Sequence, residues 1–464
     1  VFKEHGLQDA KKCYILGLKE FASVMKVCRT LIAWLITSIF ILTIPGGSLA
    51  GYDYIDITQP NLKKLPIAVP YFKKISTGSD TDQLSRTLSE LLANTLDFTG
   101  YFKIMNREAF LVNPQTDAGF ANVIFHDWTS IGAELLVTGG VLVKDNLLEI
   151  ELRLYDTFKE KLLVGKRYKG GVSDQRRIIR RFCSDVIYSL TGDRGIFDTQ
   201  IAFVSTSSGA KEIYICEFDG YNIHRVTHTN SITLTPAWSS DGQWIAYTSY
   251  AKGKPDLYIK HLKENRGTVV SKEGVNITPA WFPNRFDLAA TLSFSGDPEI
   301  YLLTGTGKVI KRLTNNKGID VSPAWSPDGK NMAFVSKRSG TPQIYIKNLD
   351  SDQVNRLTFQ GNYNTQPSWS PKGDKIAYAS MEGGLNNIIV IGIDGQRPVQ
   401  MTHNDGDNES PSWSPDGSLI VFSSTREGPS RIYVMTVYGT DQRRLLSLKG
   451  QQTQPKWSPK MTQN

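Results

Sequence analysis

Little in this chain serves redox, metal or hydrolytic chemistry. Its 464 residues include only four cysteines and six histidines. No C-x-x-C pair occurs, which excludes a zinc site of the usual cysteine spacing. H-E-x-x-H, G-x-S-x-G and P-loop patterns are also missing, so the sequence shows no metalloprotease, serine-hydrolase or nucleotide-phosphate signature. His224, His228, His261 and His403 share no common register. His224 and His228 stand four apart, but on a stretch that reads as strand and loop, where that spacing does not bring two ligands onto one face. Charge of one sign is scarce as well. The net charge is +8, from 53 basic and 45 acidic residues. Without a long basic stripe, nucleic acid is not an expected partner. Arg176, Arg177, Arg180 and Arg181 cluster at helical spacing beside apolar residues and read as the solvated face of an amphipathic helix.

Long apolar runs are limited to one, residues 31–44. Fourteen residues fall short of the ~20 that a spanning helix requires. Lys26 and Arg29 precede the run, and Ser48-Leu49-Ala50 follows it with small residues at the −3 and −1 positions. This is the pattern of a secretory signal with cleavage after Ala50; an uncleaved anchor is the competing reading. Met25 stands at an initiator's usual distance, which makes residues 1–24 a candidate extension. Cys13 and Cys28 would leave with the signal. Cys183 and Cys216 fall in different expected domains and read as two buried thiols, although an oxidising compartment also permits a disulfide.

What the chain does have is a repeat. Pro-x-Trp recurs with tryptophans at 238, 281, 325, 369, 413 and 457, spaced by 43, 44, 44, 44 and 44 residues. A period of about 40 to 45 suits a four-stranded propeller blade. In the copy at Trp325, Asp328-Gly329 marks a tight turn. Residues 332–336 and 344–346 read as strands, residues 356–358 as the start of a third, and the Pro-x-Trp segment supplies a fourth. Such a unit cannot cover its own apolar faces; stacking buries them. An indole buries roughly 150–250 Å², so Trp238, Trp281, Trp325, Trp369, Trp413 and Trp457 are expected between blades. A strand at 201–205 has no Pro-x-Trp before it, and Trp457 has no strand after it. Residues 201–464 hold six periods of 44, so the last phrase is expected to complete the first blade and close the ring.

Residues 62–195 follow a different pattern. Strands are expected at 67–72, 102–105, 135–143, 147–155 and 161–168. Helices are expected at 84–96, 128–133 and 174–190, the last ended by Thr191-Gly192. The expected fold is therefore multidomain: an N-terminal α/β domain at 62–195, then an all-β, six-bladed propeller at 196–464 built from WD40-like repeats. Residues 51–61 alternate polar and apolar like an extended strand, suited either to a partner's sheet edge or to the edge of the neighbouring domain.

This domain order, the Trp-Ser-Pro-Asp-Gly phrases, residues 66–72 (Pro-Ile-Ala-Val-Pro-Tyr-Phe) and Gly220-Tyr221-Asn222 after Phe218-Asp219 resemble the TolB family. These proteins are periplasmic components of the Tol-Pal envelope system of Gram-negative bacteria, and the resemblance covers about residues 50–464. It implies a monomeric, non-catalytic periplasmic adaptor without a cofactor, peripheral to the membrane through its partners only. The propeller mouth would receive a Pal-like outer-membrane lipoprotein. The mature N-terminal segment (Tyr52, Asp53, Tyr54, Ile55, Asp56, Ile57) would contact a TolA-like inner-membrane protein. Together they would maintain outer-membrane integrity and constriction during cell division. Mapped blade by blade, the lipoprotein-facing rim falls on Val275, Thr278, Val321 and Ser322, and by repeat symmetry on Thr365, Gln366, Glu409 and Ser410. Two other classes compete with the adaptor. One is a periplasmic propeller enzyme acting on a small molecule or glycan in the channel, since prolyl-oligopeptidase-like propellers carry similar phrases. The other is a scaffold or sugar-binding module. The chain runs seven residues past Trp457, so no hydrolase domain is expected behind the propeller.

Overall fold

The computed structural model describes residues 64–75, 79–111, 123–403 and 405–461. The apolar run at 31–44, the expected cleavage site and the segment 51–61 lie outside the described residues.

The first part is an α/β sheet. Strands β1 (Leu65–Ala68), β2 (Lys73–Lys74), β3 (Phe102–Ile104), β4 (Leu135–Lys144), β5 (Leu147–Asp156) and β6 (Lys161–Gly171) lie in the order β3-β1-β4-β5-β6, with β2 also on β4. β1 runs parallel to β3 and β4, while β4, β5 and β6 form an antiparallel meander. Asp145 and Asn146 turn β4 into β5 with positive φ of 50° and 64°, as a two-residue hairpin requires. Helix α1 (Ser79–Phe98) buries Leu88, Leu92 and Leu96 in the same core as Ile179, Phe182 and Val186 of a second long helix, α3 (Gln175–Thr191). Gly192 ends α3 in the left-handed conformation, its N–H bonded to the Tyr188 carbonyl. The short helix expected at 128–133 lies instead at Phe125–Thr129 (α2). Gly132, at φ 81°, and the Ala133 N–H bonded to the Trp128 carbonyl stop it before Ile131 can join.

The remaining strands form six four-stranded sheets, each following a Pro-x-Trp strand outward. The innermost strands are Thr233–Trp238, Asn276–Trp281, Asp320–Trp325, Tyr363–Trp369, Asn408–Trp413 and Gln452–Trp457, here the inner strands of blades 1 to 6. Blade 6 closes the ring: Gln452–Trp457 pairs antiparallel with Gln200–Ser205, setting Trp457 opposite Ile201. The third strand read at 356–358 is the outermost one, and it ends rather than begins there, at Val354–Arg356. Leu357 and Thr358 have already turned inward. The Leu357 N–H and the Thr358 hydroxyl bond the third strand at Ile344 and Gln343. The turns carry the expected chemistry. Gly329 takes φ 71°, and Asp328 accepts from the Ser326 hydroxyl at 2.6 Å and from the Lys330 N–H at 3.0 Å.

Trp238, Trp281, Trp369, Trp413 and Trp457 are buried, and Trp325 is half-buried with its ring 4.7 Å from Phe282, which stands where the other copies have serine. Apolar clusters fill every seam between neighbouring blades. The seams nevertheless alternate. Indole N–H groups of Trp238, Trp325 and Trp413 donate to the carbonyls of Lys456, Ala280 and Ser368 in the preceding blade at 3.0, 3.0 and 3.1 Å. Those of Trp281 and Trp369 have no partner among the described residues, and that of Trp457 turns to the Thr199 hydroxyl at 2.8 Å. Blades 6–1, 2–3 and 4–5 are thus pinned pairs within a nominally sixfold ring.

The arginine cluster departs from the solvated face expected of it. Arg177 is exposed, but Arg176 and Arg180 face the propeller. Arg176 reaches Asp219 at 2.6 Å and Glu217 at 3.4 Å, and its guanidinium lies 3.8 Å from the Tyr221 ring centroid. Arg180 meets Glu217 at 2.9 Å. The helical pattern placed these residues on one face correctly; the two carboxylates that cover half of that face lie about forty residues downstream. Phe218 adds edge-to-face contacts with Phe98 and Phe197 at 5.3 and 5.6 Å. Arg443 covers the Phe98 ring and donates to its carbonyl. Cys183 and Cys216 are both free and buried, and burial pushes both thiols above their ordinary range.

Candidate functional site

The residue just before each proline of the inner strands is bent into the left-handed region: Thr235, Thr278, Ser322, Gln366, Ser410 and Gln454, with φ between 49° and 56°. None is glycine, so each conformation costs roughly 1–3 kcal/mol that the surrounding sheet must offset. The cause is local. Proline lacks an N–H to continue the ladder and disfavours helical geometry in the residue before it. The pairing with the second strand accordingly slips at this point in all six blades, giving a β-bulge. Because the bulge recurs at one height, it builds a ring. Side chains of this ring tie blade to blade: Gln454 accepts from the Thr235 N–H at 2.8 Å, Thr278 from Ser322 at 3.4 Å and Gln366 from Ser410 at 2.7 Å. These are the same three blade pairs that the indoles pin.

One position closer to the strand entrance stands a second half-buried ring: Leu234, Ile277, Val321, Thr365, Glu409 and Thr453. It is apolar on blades 1 to 3 and carries one carboxylate on blade 5. Burial, and secondarily the charge of Asp407, raise the Glu409 carboxyl above its ordinary range. Asn386 donates to Glu409 at 3.0 Å, and its backbone N–H donates to Asp407 at 3.0 Å. On the strand ends and loops at this entrance end of the blades, Ile232, Phe294, Phe359, Tyr363 and Met381 are exposed large apolar side chains. Phe359 is 72% exposed, with the Arg356 guanidinium 5.0 Å from its ring centroid.

Of the rim residues expected from sequence, Thr278, Ser322, Gln366 and Ser410 fall on the bulge ring, and Val321, Thr365 and Glu409 on the ring above it. Val275 does not join either ring. It lies just outside its strand, with its N–H bonded to the Ser293 hydroxyl at 2.9 Å and its carbonyl to the Ser293 N–H at 3.2 Å; Ile277 holds the equivalent place. Leu234, Thr235, Thr453 and Gln454 complete the rings and were missed, although the offset from proline identifies all of them. Tyr52, Asp53, Tyr54, Ile55, Asp56 and Ile57 lie outside the described residues. Among the described residues, no three histidine, cysteine or acidic side chains stand close enough to hold a metal ion.

At its strand entrance, the closed ring presents a half-apolar, half-polar collar, with exposed large apolar side chains on the strand ends and loops of the same end. The model of the TolB beta propeller domain matches residues 188–461, and that of the TolB amino-terminal domain matches residues 53–163. The chain belongs to the TolB family. It is 58% identical over 277 residues to the Tol-Pal system protein TolB of Desulfosudis oleivorans, across 60% of this chain and 63% of that one. It is 41% identical over 217 residues to the protein of the same name from Syntrophus aciditrophicus, across 46% and 48% of the two chains. The match thus spans about half to two thirds of the length of these relatives. The crystal structure of TolB from Acinetobacter baumannii superposes with a TM-score of 0.75 at 28% identity, covering 86% of this chain and 98% of that one.

Proposed function

We propose that this chain is a non-catalytic periplasmic adaptor of the Tol-Pal system. In this reading its propeller mouth docks the globular part of a Pal-like outer-membrane lipoprotein, and residues 51–61 engage a TolA-like inner-membrane protein, supporting outer-membrane integrity and constriction during division. A cleaved secretory signal ending at Ala50 delivers it there, and the mature chain acts as a monomer, with residues 62–195 and 196–464 as its two domains. The observation that carries the reading is the collar at the strand entrance. Its exposed apolar border resembles the core of a protein interface, and the polar bulge ring below supplies hydrogen-bonding groups on a rigid frame. The rigid frame limits the ordering cost of docking.

The test uses the chain from Gly51 onward and the soluble domain of a Pal-like lipoprotein. Ile232→Asp combined with Tyr363→Ala is expected to reduce binding by more than roughly tenfold, as loss of interface contacts does, while Tm stays within about 2 °C because both side chains are exposed. Undiminished binding by this variant would remove the mouth from the reading. Failure of the parent chain to bind the lipoprotein would remove the reading itself.

A further inference from the structure

The opposite end of the ring, where the inner strands exit, holds a cavity of about 440 Å³ lined by the six Pro-x-Trp phrases. Its walls are indole, proline, alanine and serine, and Lys456 is the one charged residue among them. Five blades place a small residue at this position: Ala237, Ala280, Ala324, Ser368 and Ser412. Blade 6 alone places an ammonium. The group has no hydrogen bond or ion pair among the described residues. Burial depresses its pKa from the ordinary lysine value to about 8, with no neighbouring carboxylate contributing. The cavity walls on every side, from all six inner strands and the turns after them, contribute no second titratable group.

Lys456 is half-buried, and an ammonium without a partner beside indole and proline walls has lost part of its hydration, a cost that an entering anion offsets. One positive charge is matched by one negative charge; a dianion would leave a surplus charge in the same walls. The walls favour an apolar stem over a hydrated one. We propose that the exit end of the channel is a receptor for a single carboxylate on an apolar stem, with Lys456 as its counter-ion. The carboxylate belongs either to a small free acid or to the end of an apolar peptide. This site is separate from the mouth and stands whether or not the adaptor reading does.

The six indoles report on the cavity directly. Tryptophan fluorescence of the chain from Gly51 onward is titrated at pH 7 with benzoate and its neutral isostere benzamide. A second pair of probes is an N-acetylated tripeptide ending in phenylalanine with a free carboxylate, and its amide. At least one carboxylate is expected to bind roughly tenfold or more tightly than its neutral twin, the scale of one charge-assisted contact. Lys456→Ser, which installs the residue of blades 4 and 5, is expected to abolish that preference, and Lys456→Arg to retain it. Near-ultraviolet circular dichroism verifies that both variants keep the parent fold. The affinity of the parent is expected to fall about tenfold per pH unit above pH 8, as the free amine deprotonates, and that of Lys456→Arg to stay flat. Benzoate binding identifies a free acid as the source, peptide binding a chain end, and either supports the receptor. Equal affinity in Lys456→Ser, equal competition by chloride, or no carboxylate preference with either pair overturns it.

Discussion

The alternation of blade seams is open to a direct energetic test, comparing Trp413→Phe with Trp281→Phe. Both indoles are buried, at 6% and 8% exposure, so exchanging indole for phenyl removes similar apolar area from each, at a cost of about 1–2 kcal/mol. They differ at the N–H. In Trp413 it donates to the Ser368 carbonyl at 3.1 Å, a bond worth about 1 kcal/mol net. In Trp281 it is buried without an acceptor, a state that costs about 1–3 kcal/mol, so its deletion returns some of that penalty. Trp413→Phe is therefore expected to be the more destabilising by about 2 kcal/mol, and Trp281→Phe to be close to neutral. Urea unfolding followed by circular dichroism measures both from midpoint and slope. In a domain of this size the difference corresponds to about 4–8 °C in Tm. Equal losses within about 0.5 kcal/mol would show that the seams are equivalent and that the pinned pairs carry no energy.

Removing the Arg176 and Arg180 side chains together is expected to weaken the contact between the two domains and leave the propeller intact. Limited proteolysis between residues 192 and 199 should accelerate while the unfolding midpoint of the ring holds, and simultaneous loss of both signals would refute a local clasp. Gly220, at φ 82°, allows no Cβ, because one would sit 2.5 Å from the Leu445 carbonyl of the neighbouring blade. Gly220→Ala is expected to cost about 2–4 kcal/mol, readable in the same urea assay, and a cost below 1 kcal/mol would mean that blades 5 and 6 yield there. Lys456 gives a pH signature. Its folded pKa of about 8 lies below the ordinary value of 10.5. The unfolded chain then binds the extra proton between those values, so this residue's penalty is complete below pH 8 and fades as pH rises toward 10.5. Lys456→Ser should exceed the parent in stability by about 1–3 kcal/mol at pH 7, and the gap should close by pH 10.5; a constant gap would place the ammonium in bulk water.

The collar was legible in part. Its positions sit at fixed offsets from a proline that recurs six times, so Thr278, Ser322, Gln366 and Ser410 follow from counting. Counting alone did not place Val275, because the end of an inner strand depends on where its neighbour stops pairing. The indoles were legible as packing groups by their size and period, but their split into satisfied and unsatisfied N–H groups was not. That split depends on how each seam sets an indole against the preceding blade's backbone, which the repeat itself does not record.

The chain by itself determined the number of blades, the closure of blade 6 by both ends of the repeat region, the turn chemistry and the order of domains. Each of these is written in local composition or in a regular interval, and hydrophobic burial reads such patterns without reference to distant residues. Tertiary structure alone decided which arginines of α3 meet Glu217 and Asp219, which blades are pinned in pairs and that Lys456 faces an otherwise uncharged exit cavity. Those outcomes depend on groups brought together from 37 to 218 residues apart, and electrostatics and hydrogen bonding act on distance in space, which periodicity does not record.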